Sequence, residues 1–256
     1  MKYITLLASI LIFVSCKEPN NTKPDHKNQN EISFFGADSL QIFGDLYETN
    51  KEAATILLFH QGGSNARAEY HTIIPKLTQM GYNILAVDLF LGGQRYGTYN
   101  RTIAGVSLEE FKNPTSYCDD FENMVATLNF AKQRFQGDII VWGSSYSATL
   151  SIQLGSEKPD DVSGVLAFSP AAGGPMGTCQ PDPYIEQIEV PLIILKPPSE
   201  MASENTIRQF ELAQQHGHQT YAAEVGVHGS SMLVPSRVEG DISKTWIVVT
   251  NFLESL

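Results

Sequence analysis

From residue 54 onward, apolar residues fall into short, nearly unbroken runs separated by longer stretches in which they recur every three or four positions. The runs at 54–59 (ATILLF), 82–87 (YNILAV), 138–142, 165–168, 192–195 and 221–227 are too short for independent helices and predict strands. The spacing between them predicts helices over 68–80 (closed by Gly81), 117–135, 145–155, 203–216 and about 240–255. In 117–135 the pattern is Phe121, Met124, Val125, Leu128 and Ala131. Residues 32–47 alternate on either side of Asp38 and Ser39 and predict an antiparallel hairpin.

Strands with little polar alternation are buried on both faces, and strands that alternate with helices pair in parallel. The expectation is an α/β domain over 31–256, with a mostly parallel central sheet, an antiparallel hairpin at its N-terminal edge and helices on both faces. Residues 169–189 have room for a flap but not for a large lid domain. The loop 89–115, with Arg95, Tyr96, Tyr99 and Arg101, is the other expected wall of a site. Arg95 either meets a substrate carboxylate or is a solvated loop arginine.

The start of the chain follows another pattern. Lys2 precedes an apolar core at 4–14, which is too short to span a bilayer and fits a secretory signal peptide over 1–16. Ser15 before Cys16 resembles a bacterial lipobox, with Phe13 where leucine is usual. The resemblance implies lipidation of Cys16 and a membrane-anchored protein of the cell envelope. A cleaved signal with an incidental cysteine is the alternative. Residues 17–30 are rich in Asn, Lys, Pro and Asp and read as a disordered tether.

Composition narrows the function. The chain has 256 residues, 42% hydrophobic and 18% charged, with a formal net charge of -11. An acidic surface argues against nucleic acid as a partner. Cys118 and Cys179 are free to pair in an oxidising compartment or to remain thiols. No CxxC pair or HExxH is present, so no metal or other cofactor is expected.

Ligands of a parallel sheet bind beyond the carboxyl ends of its strands, so the residues at the strand exits carry the chemistry. In order they are His60-Gln61-Gly62-Gly63-Ser64-Asn65, Asp88, Gly143-Ser144-Ser145-Tyr146-Ser147, Ser169-Pro170, Lys196 to Glu200, and His228-Gly229-Ser230-Ser231. A strand-to-helix turn that lifts a serine above the sheet needs small residues two positions before and after it. Only Ser145 has them, in Gly143 and Ser147. In the frame of Ser144, the bulky Trp142 falls at the first of these positions. Ser144 is then the variable position of the motif. A serine nucleophile needs a base, and the base needs an orienting carboxylate. His228 and Glu200 stand at later exits in the right order, with Asp182 as the rival acid. His216 and His218 read as helix-end residues. The expected oxyanion donors are the N–H groups of Tyr146 and of Gln61, with Gly62 second.

From about 31 to 256 the chain resembles the α/β-hydrolase superfamily, and within it the compact branch of dienelactone-hydrolase-like and S9-peptidase-like proteins. The marks are GDLY, LLFHQGGSN, YNILAVDLFLGG, VWGSSYSA, VPLIILKPPSE and VHGSSML. The resemblance implies a serine esterase with the triad Ser145–Glu200–His228, acting on a small-molecule ester, and a structural role for His60. Dienelactone hydrolases proper use cysteine where this chain has Ser145. The acid loop usually has Gly at Pro197 and Asp at Glu200. A serine peptidase or amidase, and a non-catalytic envelope binding protein on the same scaffold, are the alternatives.

Overall fold

The computed structural model describes residues 29–106 and 116–256. The expected signal peptide, the lipidation of Cys16 and most of the tether lie outside them. Asn30 belongs to the fold, because its carbonyl accepts the Leu46 N–H (2.8 Å).

Eight strands form one sheet: β1 (Glu31–Phe35), β2 (Gln41–Tyr47), β3 (Thr55–Phe59), β4 (Asn83–Val87), β5 (Ile139–Ser144), β6 (Gly164–Phe168), β7 (Leu192–Lys196) and β8 (Gln219–Ala222). Their order is β1-β2-β4-β3-β5-β6-β7-β8. β1 pairs with β2, and β2 with β4, antiparallel; the six strands from β4 to β8 pair in parallel. The helices are α1 (Ala66–Tyr70), α2 (Ile74–Gln79), α3 (Arg101–Ala104), α4 (Phe121–Arg134), α5 (Tyr146–Glu157), α6 (Pro181–Gln187), α7 (Glu204–Gln215) and α8 (Ser243–Glu254).

Side chains alternate across a strand, so β3 feeds two cores. Leu57 and Phe59 pack on the face covered by α4, α5, α6 and α7; Ile56 and Leu58 pack on the face covered by α1, α2 and α8.

Two predicted elements differ. The helix expected over 68–80 is two short helices. Pro75 has no N–H to give the carbonyl four residues back and cannot sit inside a continuous helix, so it stands in the first turn of α2. The strand expected over 221–227 ends at Ala222. β8 is an edge strand whose only neighbour, β7, ends at Lys196 opposite Ala222. Beyond that point the chain has no ladder partner, and it turns toward His228.

The expected flap holds a short 3-10 turn, Gly174–Met176, and then α6. Cys118 and Cys179 are joined by a disulfide with a Cα–Cα distance of 5.7 Å, which ties the flap to the 3-10 turn Tyr117–Asp120 before α4. Arg101 is neither solvated nor a site residue. It is buried, with Nε 2.8 Å from Asp88 and Nη1 3.1 Å from Asp45. With Arg67 and Glu31 these form an ionic network that holds the N-terminal hairpin to the sheet.

Candidate active site

Ser145 stands between β5 and α5 with φ 63 and ψ -120. A non-glycine residue is rarely held there, and such strain costs about 1–3 kcal/mol. Its neighbours enforce it. The Ser145 N–H donates to the Phe168 carbonyl (2.8 Å), and its own carbonyl accepts from Ala171 (3.2 Å). Gly143 lets the turn close: a Cβ there would collide with the Ser147 carbonyl oxygen, the Ser151 hydroxyl and the Ala148 Cα. Ser147, in the place of the second glycine, accepts the Ser144 N–H (2.9 Å) and donates to the Phe59 carbonyl at the end of β3 (2.7 Å).

Ser144 is not merely the variable position. It is fully buried, and its hydroxyl accepts the Ser230 N–H (2.9 Å), which fixes the loop that carries His228. Gly229 crosses directly over that hydroxyl at φ 70, where a side chain would strike it. The Ser230 hydroxyl in turn accepts Trp142 Nε1 (2.8 Å). The residues after Ser144 and before Gly229, which are Ser145 and His228, therefore flank one contact of the Ser144 hydroxyl with backbone.

His228 is half exposed, and its Nδ1 lies 2.6 Å from Glu200 Oε1. Asp182 is paired elsewhere, with Arg208 Nε at 2.5 Å. The structure thus brings Glu200, not Asp182, to the imidazole. The Ser169 hydroxyl accepts the Gly229 N–H (3.0 Å) and faces the Glu200 carboxylate. Burial pushes the Glu200 carboxyl up, but the His228 hydrogen bond, the Lys196 charge and Ser169 outweigh it and hold the group below its ordinary value. Among the described residues no hydrogen bond joins Ser145 to His228. His216 and His218 precede β8, at the opposite end of the sheet from the strand exits.

One expected donor is corrected. The Gln61 N–H donates to Glu69 Oε2 (2.9 Å), a carboxylate buried in α1, and so points away from any oxyanion. The next N–H, of Gly62, has no partner among the described residues. The Tyr146 N–H opens α5, where first-turn donors lack intrahelical acceptors. Tyr146 adjoins Ser145 in the chain, and Gly62 follows β3, the strand paired with β5. The Gln61 side chain lies 3.5 Å from both the Tyr96 hydroxyl and the Ser231 hydroxyl. Arg237 stacks 3.6 Å from the centre of the Tyr96 ring. Arg95 is exposed.

His60 accepts the Leu89 N–H on Nε2 (2.9 Å), so its Nδ1 carries the proton facing the Gln61 carbonyl (2.9 Å). That is a structural role. Tyr146 stacks on Tyr117 (centroids 4.6 Å apart) and donates to buried Asp120 (3.0 Å). Asp120 also accepts the N–H groups of Phe90 and Leu91 (3.0 and 2.8 Å), and burial raises its carboxyl above the ordinary value.

Glu69 and Asp120 were not evident as site residues, whereas Ser169 and Lys196 stood among the strand exits without a role. Among the described residues no group of three or more His, Cys, Asp or Glu side chains could hold a metal ion.

No protein-family profile matches the sequence. No curated protein matches it either. Solved structures do match. An esterase of Pyrococcus furiosus superposes with a TM-score of 0.67 at 16% identity, over 88% of this chain and 90% of its own. A Klebsiella pneumoniae protein assigned as a dienelactone hydrolase gives 0.65 at 12% identity, over 88% and 98%. The acylaminoacyl peptidase of Pyrococcus horikoshii gives 0.58 at 16% identity, over 88% of this chain but 41% of the peptidase. The fold is therefore that of the α/β-hydrolases.

Proposed function

We propose that the protein is a serine hydrolase that cleaves carboxylic esters through an acyl-enzyme. The observation that carries this reading is the strained Ser145, raised at the central strand exit beside a His228–Glu200 pair 2.6 Å apart. His228 takes the proton of Ser145 as its oxygen attacks the acyl carbonyl. Glu200 holds the imidazole with Nδ1 protonated, leaving Nε2 as the base. The N–H groups of Gly62 and Tyr146 receive the oxyanion, each worth about 3–4 kcal/mol of barrier. His228 returns the proton to the leaving alcohol, and water, activated by the same imidazole, releases the acid.

The named esterase and dienelactone hydrolase among the similar structures support an ester as substrate. The peptidase keeps an amide reading in play, and an ester panel set against aminoacyl amides separates the two. The decisive experiment is labelling with a fluorophosphonate, coupled to p-nitrophenyl acetate hydrolysis. Wild type should label at Ser145. Ser145→Ala should lose both label and turnover by several orders of magnitude, with little change in melting temperature. A wild-type protein that takes no label would be a binding protein on a hydrolase scaffold, and retained turnover in Ser145→Ala would overturn the nucleophile. We further propose export and lipid anchoring through Cys16, which palmitate incorporation tests.

A further inference from the structure

Lys196 ends β7, an otherwise apolar strand, and is only 4% exposed. An ammonium group taken out of water must be paired and hydrogen-bonded. Its Nζ donates to the Pro170 carbonyl (3.0 Å) and lies 3.3 Å from Glu200 Oε2. The other oxygen of Glu200 lies 2.6 Å from His228 Nδ1. The carboxylate is thus shared, one oxygen to the imidazole and one to the ammonium. The groups that face it are Lys196 from β7, His228 from the loop after β8 and the Ser169 hydroxyl from the turn after β6. Among the described residues Glu200 is the charged group that acts on Lys196, whose amine burial pushes below its ordinary value against the pull of Glu200.

We propose that Lys196 is a positioning residue for the catalytic acid, fixing the free oxygen of Glu200 and partly neutralising its charge beside His228. The proposal rests on the reading of Ser145, His228 and Glu200 as a hydrolytic triad. Glutamate has one more rotatable bond than the aspartate usual in this fold, so its carboxylate needs a second anchor to stay on the imidazole. The ammonium supplies that anchor. It also offsets part of the negative charge that faces the imidazole.

The test is Lys196→Met, which keeps the chain length and removes the charge. The Glu200 carboxylate is then left uncompensated beside His228. The acidic limb of the kcat/KM profile for p-nitrophenyl acetate should move up by about half a pH unit or more, and kcat should fall several-fold with KM little changed. A folded Lys196→Met protein whose acidic limb stays where wild type has it would overturn the proposal, because a merely structural lysine lowers stability without moving that limb.

A second measurement leaves Lys196 in place. NMR titration of lysine labelled with ¹³C at Cε should show the Lys196 amine titrating lower in Glu200→Gln than in wild type, and an unmoved titration would also overturn the coupling. This arm needs no turnover and decides the coupling even if Lys196→Met fails to fold. Fluorophosphonate labelling of wild type separates the two readings. No label at Ser145 removes the hydrolase reading, whereas a labelled wild type with an unmoved limb removes only the role of Lys196.

Discussion

Ser144, one residue before the proposed nucleophile, makes the most specific prediction at the level of single side chains. In Ser144→Ala the buried Ser230 N–H loses its acceptor, at about 1–3 kcal/mol. The loop carrying His228 loosens, so kcat should fall about tenfold while fluorophosphonate still finds Ser145; kinetics beside denaturant melts check both halves. Glu200 makes the second. Its folded-state pKa is depressed, so the folded protein binds this proton less readily than the unfolded chain. Its contribution to stability is present above the ordinary unfolded glutamate value, about 4.3, and is lost as pH falls through the lower folded value. Denaturant midpoints between pH 5.5 and 3 should therefore fall more steeply for wild type than for Glu200→Gln. The proposed triad was read from the sequence at the ends of predicted strands, because a strand's exit marks one edge of a parallel sheet; β8 in fact ends six residues before His228. The order of preference between Gln61 and Gly62 as proposed oxyanion donors was not. Which way the Gln61 peptide points is decided by Glu69, eight residues on and in another element, and no local pattern reports that a helical glutamate turns inward.

Among the elements, most boundaries followed from the apolar pattern, since β3 to β7 are buried on both faces and their runs have no competing period. The two differences have local causes. Pro75 divides a helix whose apolar spacing runs on across it, and β8 stops where its single neighbour stops, whatever its own composition favours. The pairing of Cys118 and Cys179 was left open in the sequence because closure depends on two loops meeting in space. With a sequence separation of 61 between its ends, the disulfide is expected to stabilise the fold by about 2–4 kcal/mol. It also braces Tyr117, which stacks on Tyr146 and whose hydroxyl lies against Gly62. Cys118→Ser with Cys179→Ser should lower the urea midpoint and raise KM for esters more than it lowers kcat. Equal stability with and without reductant would refute the first part.

Across the whole molecule, one seam of buried polar groups joins the ends of four chain segments. Ser147 reaches the last carbonyl of β3, Ser144 and Trp142 reach the turn after His228, and Tyr70 of α1 donates to the same Phe59 carbonyl (2.6 Å). The strain at Ser145 persists only while those segments stay docked, because an isolated β5–α5 unit would relax it. Catalytic competence and the native state therefore share one cooperative unit. In a urea titration, ester turnover and tryptophan emission should decline along a single curve, with Trp142 reporting from within the seam itself. An inactive yet folded plateau would mean that the seam opens separately. Without such a plateau, the rate of the proposed ester cleavage would directly measure how much of the protein is folded.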